Sequence, residues 1–238
     1  FMPAQSTSSG GKLRGLAAIQ RDLLGLGNQF NVVHHSYHFP FFVPNHVKRV
    51  ATIYDTALEK GFIANSRSRP LSMHLKRRLI ENADAIIAIS QTTMDDAEIL
   101  YPNILDKPRR VIYLSSSNAL SANGSEGVQL EPQKPFFLFV GKRHEYKNFK
   151  ILLEAFQKSS YLRKEFCLLA VGGEPLSDDE LEARDKMASS FIHIPKVNDD
   201  YLGRLYRECE AYVSASLIEG FGLPVLEALS VNARCICS

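Results

Sequence analysis

The chain has 238 residues, of which 45% are hydrophobic and 23% are charged, and its formal net charge is +2. This composition is typical of a soluble globular protein with one large domain or two of ordinary size. It excludes an extensive nucleic-acid-binding surface, which would require a marked excess of positive charge. No apolar run approaches the ~20 residues that span a bilayer.

The cysteines and the two ends of the sequence add further expectations. The four cysteines lack Cys-x-x-Cys spacing, three of them lie in apolar segments, and no signal peptide is visible. We therefore expect reduced cysteines in a cytoplasmic protein, without a disulfide framework or a metal site. The sequence begins at Phe1 and stops at Ser238, directly after an apolar run, so we expect a chain that is cut at both ends.

The first 114 residues alternate between strand and helix patterns. A glycine-containing loop with Gly10 and Gly11 precedes a helical pattern. Short apolar runs at 32–35, 50–54, 85–89 and 110–113 predict buried strands. Because parallel strands need crossover connections, the alternation predicts a parallel sheet covered by helices on both faces.

Several polar residues in this half are candidates for function. His35 and Tyr54 lie at the carboxyl ends of the first two predicted strands, where parallel sheets present side chains to ligands. A histidine with a purely structural role is the alternative for His35. A helix over residues 71–80 is predicted to carry Lys76, Arg77 and Arg78 on its solvated face.

The aromatic segment at 39–44 is followed by basic residues. One interpretation is packing within its own domain, since exposed apolar patches are rare on soluble proteins. The other is contact with a lipid-linked substrate at an anionic membrane surface.

Residues 115–134 are rich in Ser, Asn, Gly, Gln and Pro and have no hydrophobic period, which predicts an inter-domain linker. Strand patterns return at 136–140, 167–171, 192–194 and 211–213. We therefore predict an N-terminal domain at 1–114 and a second doubly wound domain at 135–238.

A pair of basic residues, Arg143 and Lys147, comes directly before a predicted helix. Cations at a helix N-terminus oppose the helix dipole and cost about 0.3–1 kcal/mol each. A bound anion would reverse this balance, so the pair predicts an anion site; the alternative is two solvated side chains.

The segment from Glu219 to Glu227 combines two carboxylates with a glycine-rich turn and a helix that should begin near Pro224. Such a helix start leaves backbone N–H groups for an anion, here at Phe221, Gly222 and Leu223. Each carboxylate can accept two hydrogen bonds from a vicinal diol. Amides that face phosphate beside carboxylates that face diols suit a sugar nucleotide; a solvated turn is the alternative.

This string, Glu-Gly-Phe-Gly-Leu-Pro-Val-Leu-Glu, resembles the acidic signature of retaining GT-B glycosyltransferases of the large sucrose-synthase and mannosyltransferase family, the group 1 glycosyl transferases. The segments at 83–93 and 140–149 resemble the same family. The resemblance implies an α/β GT-B fold, in which two Rossmann-like doubly wound domains face each other across a cleft.

The resemblance also implies roles for individual residues. Arg143 and Lys147 would bind the donor diphosphate, although Lys142 beside Arg143 leaves open which residue takes the arginine role. Glu219 would contact sugar hydroxyls near the reacting carbon and Glu227 the ribose diol. With His35, the residues Glu219, Arg143 and Lys147 form the predicted catalytic set.

Less direct contacts follow from the same likeness. Backbone groups at Lys196 and Val197 would bind the nucleobase, and Gly10 and Gly11 would border the cleft. Tyr54 stands where the family usually has a histidine, which moves the expected histidine role to His35.

The implied reaction is transfer of a sugar, a hexose such as mannose, from a GDP- or UDP-sugar to a hydroxyl of a glycan or lipid-linked acceptor, with retention of anomeric configuration. The expected setting is assembly of cell-surface polysaccharide or lipopolysaccharide, in the cytoplasm or at the inner face of the membrane. Because no Asp-x-Asp occurs, we expect no required metal and no cofactor besides the donor substrate. The alternative is an inactive or truncated module that binds a nucleotide sugar without transferring it.

Overall fold

The computed structural model describes residues 30–36, 43–63, 69–116, 132–143 and 145–238. Gly10, Gly11, most of the aromatic segment and most of the predicted linker lie outside the described residues. The chain divides into two compact units. Among the described residues, the first unit holds 30–36, 43–59 and 69–113, and the second holds 60–63, 114–116, 132–143 and 145–238.

The described part of the first unit contains a four-stranded parallel sheet, with the order β1-β2-β3-β4. Its strands are β1 (Val32–His35), β2 (Lys48–Ile53), β3 (Ala85–Ala88) and β4 (Arg109–Val111). Helix α1 (Arg69–Asn82) lies between β2 and β3, and α2 (Gln91–Leu100) lies between β3 and β4. The Ser90 side chain accepts a hydrogen bond from the Thr93 backbone N–H and so caps α2.

One prediction for this unit is wrong, because Lys76 is buried and not solvated. Its side chain is 1% exposed and its ammonium lies 2.9 Å from Glu59 Oε2. Lys76 also donates to the Asp55 carbonyl at 2.7 Å, and Tyr101 donates to Glu59 Oε1 at 2.6 Å. These bonds compensate the desolvated charges and tie α1 and α2 to the segment that follows β2.

The second unit contains a five-stranded parallel sheet with the order β7-β6-β5-β8-β9. Its strands are β5 (Phe136–Val140), β6 (Cys167–Val171), β7 (Phe191–Ile194), β8 (Ala211–Ser214) and β9 (Cys235–Cys237). Its helices are α3 (Phe149–Lys158), α4 (Ser160–Glu165), α5 (Asp178–Met187), α6 (Asp199–Glu208) and α7 (Leu223–Ser230).

Both faces of this second sheet are buried, as the continuous apolar strands predict. Along β6, Leu169 and Val171 belong to one hydrophobic cluster, whereas Leu168 and Ala170 belong to another. Successive strand residues point to opposite faces, so each face carries its own core. The first cluster packs under α6 and α7, and the second under α3 and α5.

The strand order of the second unit reverses between β5 and β8, which is the Rossmann arrangement. Among the described strands of the first unit, the order simply follows the chain. The expected parallel α/β architecture is confirmed, and the Rossmann-like order is evident in the second unit.

Candidate functional site

The candidate site lies at the point where the strand order of the second sheet reverses. Strands β5 and β8 are neighbours there, and both run parallel, so the loops that follow them leave the same edge of the sheet. The Leu217 backbone N–H donates to the Tyr146 carbonyl at 2.8 Å. The loop at 141–148 and the loop at 215–222 are therefore joined at the switch point of the fold.

An ion pair between Lys147 and Glu219 connects the two loops. Lys147 Nζ lies 2.7 Å from Glu219 Oε1, and the two side chains are 17% and 30% exposed. Lys147 ends a 3-10 turn and is followed by Asn148, a left-handed residue (φ 52°) that caps α3 without a side-chain hydrogen bond. The carboxylate offsets the cation beside the positive end of α3. Two predicted site residues are thus in direct contact.

Arg143 does not join this pair. All three of its guanidinium nitrogens bond elsewhere: Nε donates to Glu180 at 3.0 Å, Nη1 to the Gly172 carbonyl at 2.7 Å, and Nη2 to the Glu174 carbonyl. The side chain is 3% exposed. Its role as a diphosphate ligand stays a prediction, and the structure gives all three of its guanidinium nitrogens partners within the protein.

His193 completes the surroundings of Arg143. His193 Nε2 lies 2.8 Å from Arg143 Nη1 and 3.0 Å from the Gly172 carbonyl. A guanidinium can only donate and a carbonyl can only accept, so Nε2 accepts from Arg143 in one tautomer and donates to Gly172 in the other. Burial and the adjacent guanidinium lower the pKa of His193, while its contacts with Gly172 and Glu180 partly oppose them. The arginine fixes the loop after β5 to the start of α5 and to β7.

Lys142, by contrast, is exposed and directly follows Gly141 at the end of β5. The neighbouring basic residues thus differ in environment: Arg143 is buried and Lys142 faces solvent. Of the two candidates for the arginine role that the resemblance leaves open, Lys142 is the one that is accessible.

The glycine-rich turn leads into α7 as expected. Gly222 is left-handed (φ 80°), Leu223 is the first helical residue and Pro224 follows it. The Gly222 carbonyl accepts from the Val225 and Leu226 backbone N–H groups. Without a Cβ, glycine adopts this backbone at no steric cost, so the sequence turns here between Glu219 and Glu227.

Glu227 lies on α7 beside Tyr206 of α6. The Tyr206 hydroxyl donates to Glu227 Oε2 at 3.1 Å, and Tyr206 is fully buried. Burial and the charge of Asp199 raise the pKa of Glu227, and the hydrogen bond from Tyr206 lowers it. A half-buried carboxylate held from one side is suited to receive donors from a ligand on the other.

The remaining predicted residues are distributed as follows. Lys196 is exposed and Val197 is half-buried against the core cluster that contains Tyr206. His35 is buried at the end of β1, in the first unit, and Tyr54 is half-buried just after β2. Gly10 and Gly11 lie outside the described residues.

Sequence reasoning missed Glu180 and the contact of the buried Tyr206 with Glu227. The segment from Ser177 to Glu180 matches the Ser-x-x-Glu capping box, and both of its hydrogen bonds are present at the start of α5. That signal could have found the helix. The bond from Tyr206 to Glu227 joins residues 21 positions apart, and no local pattern indicates it.

A Rossmann-like unit with cations and carboxylates at its switch point is the architecture of a nucleotide-binding domain. Residues 124–238 match the family described as glycosyl transferases group 1. Over these residues the chain is similar to the group 1 glycosyl transferases.

Curated proteins show the same similarity. The chain is 26% identical to O-antigen chain mannosyltransferase B of Escherichia coli over 85% of its own length and 56% of that protein. It is 24% identical to O-antigen chain mannosyltransferase C of E. coli, over 84% of the chain and 54% of that protein. The chain thus spans about half the length of these curated relatives.

Solved structures share the fold. The crystal structure of WaaG, a glycosyltransferase involved in lipopolysaccharide biosynthesis, matches with a TM-score of 0.70 at 16% identity, over 99% of this chain and 66% of that one. Sucrose-phosphate synthase from Thermosynechococcus elongatus matches with a TM-score of 0.67 at 17% identity, over 99% and 63%. The fold is the α/β fold of GT-B glycosyltransferases. Within the described part of the chain, none of the helices combines the length and the apolar character that crossing a bilayer requires.

Proposed function

We propose that this chain provides the donor-binding part of a glycosyltransferase that moves a hexose such as mannose from a nucleoside-diphosphate-sugar to an acceptor hydroxyl. The observation that carries the proposal is the ion pair of Lys147 with Glu219 at the switch point of a Rossmann-like unit. The similarity to O-antigen chain mannosyltransferases supports mannose as the sugar and a cell-surface glycan or lipid-linked glycan as the acceptor.

The cations would act on the leaving group. Breaking the bond between the sugar and the diphosphate leaves negative charge on the diphosphate, and preorganised donors stabilise that charge most in the transition state. Within the part of the chain that the structure describes, Lys147 donates one hydrogen bond, to Glu219. An ammonium has three donors, so the other two would serve phosphate oxygens. Lys142, which is exposed in the same loop, would supply the second cation in place of Arg143.

The carboxylates and the start of α7 would orient the donor. Glu227 would accept hydrogen bonds from the ribose hydroxyls, and Glu219 would contact hydroxyls of the transferred sugar. The positive end of α7, which begins at Leu223 after Gly222, favours an anion such as phosphate. Lys196 and Val197 would lie at the nucleobase.

The same proposal includes a GDP- or UDP-linked donor, retention of configuration and independence of metal. It also includes a catalytic role for His35 and contact with the inner membrane surface. These parts of the proposal rest on the resemblance of the motifs to the family. Nucleotide binding without sugar transfer is the competing function.

The test is turnover with a panel of acceptors. GDP-mannose and UDP-glucose are incubated with the chain and mannose-terminated or lipid-linked acceptors, and nucleotide release and glycosylated product are measured by mass spectrometry. We expect a glycosylated product with one of the two donors. In the NMR spectrum of that product, the transferred sugar should have the same anomeric configuration as in the donor. Nucleotide binding without product would favour the binding module, and an inverted product would overturn retention.

A further inference from the structure

The buried tyrosine beneath Glu227 has no part in the mechanism described so far. Tyr206 lies on α6, which packs against α7, and its side chain is fully buried. A buried phenol needs a hydrogen-bond acceptor, and Tyr206 finds it in Glu227 Oε2, 3.1 Å away. The phenol therefore fixes one oxygen of a carboxylate that is itself only half-buried.

The ring of Tyr206 is also held in place. It meets the ring of Tyr212 of β8 edge to face, with centroids 5.6 Å apart and an interplanar angle of 70°. Both rings belong to the core cluster between the sheet and helices α6 and α7. Such packing leaves the hydroxyl little freedom, so the direction of its hydrogen bond is set by the core.

We propose that Tyr206 is a positioning residue for sugar recognition, and that it orients the Glu227 carboxylate to distinguish a ribonucleotide from a 2′-deoxyribonucleotide. The inference rests on the proposed role of Glu227. With Oε2 held by Tyr206, the carboxylate presents its remaining acceptor sites in a fixed direction, and a vicinal diol fills two of them. A 2′-deoxyribose leaves one acceptor site without its donor.

The surroundings of Glu227 support this role. The groups that face it from α6 are Tyr206 and Asp199, and α7 otherwise packs against β8, with Tyr212, and β9, with Cys235. The described groups include no cation against the Glu227 carboxylate. The carboxylate is therefore held by a neutral donor and not locked in an ion pair, which leaves it able to accept from a sugar.

The test is calorimetry of GDP, UDP and their 2′-deoxy forms with the parent chain, Tyr206→Phe, Glu227→Gln and the double variant. We expect the parent to prefer one ribonucleotide over its deoxy form by about tenfold or more, as for hydrogen bonds to a charged group. Tyr206→Phe should lose several-fold of this ratio mainly through weaker ribonucleotide binding. The double variant should match Glu227→Gln, because Tyr206 acts through Glu227.

Tyr201→Phe is the matched control. Tyr201 is a second buried tyrosine of α6 in the same core cluster, and Glu227 bonds to Tyr206 instead, so this variant should keep the parent ratio. If Tyr206→Phe weakens binding of the ribo and deoxy forms equally, so that the ratio of their affinities is unchanged, this inference is overturned but the proposed function is not. A parent that binds neither ribonucleotide would overturn the proposed function as well.

Discussion

Two ion pairs that begin in the same loop of the second unit have different environments. Arg143 pairs with Glu180 at 3.0 Å with its side chain 3% exposed, and it bonds two backbone carbonyls as well. Lys147 pairs with Glu219 at 2.7 Å with its side chain 17% exposed and its partner 30% exposed. The first pair is largely enclosed and all three Arg143 guanidinium nitrogens have partners, whereas the second pair is partly exposed.

The difference indicates that Arg143 stabilises the fold, and it supports the proposed role of Lys147 in binding the ligand. A buried cation with a partner at every nitrogen has little left to offer a phosphate, and its removal would leave a largely enclosed carboxylate without its cation. A partly exposed ammonium with one protein acceptor can add bonds without breaking the one it has. We therefore expect substitutions at Arg143 to act on stability and substitutions at Lys147 to act on donor binding and turnover.

The largest effect on stability is expected for Arg143→Met. The variant should lose about 3–5 kcal/mol of the free energy of unfolding, because Glu180, whose side chain is only 13% exposed, loses its cationic partner. Denaturant unfolding followed by circular dichroism measures the loss. Adding Glu180→Gln should recover part of it, since no unpaired charge then remains. A loss below about 1 kcal/mol, typical of a surface pair, would contradict the distinction between the two pairs.

Lys147→Met should lower turnover strongly and change stability little. Turnover should fall about 100- to 1,000-fold, equivalent to about 3–4 kcal/mol of barrier, as for other preorganised groups that stabilise transition-state charge. Stability should change by no more than about 1 kcal/mol, because the pair with Glu219 is partly exposed. Steady-state kinetics and thermal unfolding of the same sample give both numbers. A stable variant with parental turnover would remove Lys147 from the mechanism.

Two glycines test how tightly Arg143 is enclosed compared with the turn before α7. Gly173 (φ 79°) and Gly222 (φ 80°) are both left-handed, and a side chain there costs about 1–2 kcal/mol. A Cβ on Gly173 would also lie 2.9 Å from Arg143 Nη1 and 3.0 Å from the Gly141 carbonyl. A Cβ on Gly222 would meet Val225 at 3.8 Å and no other described residue within 4 Å. Gly173→Ala should therefore destabilise the unit more than Gly222→Ala. Equal melting temperatures would show that Arg143 is not tightly enclosed.

The smallest effect concerns the pH dependence of stability at Glu227. Because its pKa is raised in the folded state, mainly by burial, its contribution is fully present below the ordinary glutamate pKa of 4.5 and is lost as pH rises through the folded pKa. Glu227→Gln does not ionise, so it should gain stability relative to the parent over that window and keep the gain at neutral pH. Melting temperatures at several pH values measure the difference; a gain that disappears at neutral pH would contradict it.

The sequence predicts the strands well because their signal is local. The bounds 136–140 and 167–171 coincide with β5 and β6, where continuous apolar runs are bounded by polar residues. Helix α5 has a weaker signal, since only Ala183 and Met187 of its ten residues are buried. The alternation of strands and helices predicts the parallel sheets even when one helix is not recognised in the sequence.

The site is predictable only in part, because partners distant in sequence decide it. Lys147 and Glu219 are assigned to one ligand by resemblance, and the structure brings them together. Arg143 looks the same in sequence whether it faces phosphate or Glu180, which lies 37 positions along the chain. Lys76 is misjudged for the same reason, because its partner Glu59 belongs to a different element.

The central claim is that the open pair of Lys147 with Glu219 marks a nucleoside-diphosphate site. Calorimetry of the chain with GDP and UDP, compared between the parent, Lys147→Met and Lys150→Met, tests it most directly, since Lys150 is an exposed lysine at the start of the adjacent α3. We predict one-to-one binding of one nucleotide by the parent, a loss of about tenfold or more in Lys147→Met, and parental affinity in Lys150→Met. Absence of binding by the parent, or equal losses in both variants, would contradict the claim.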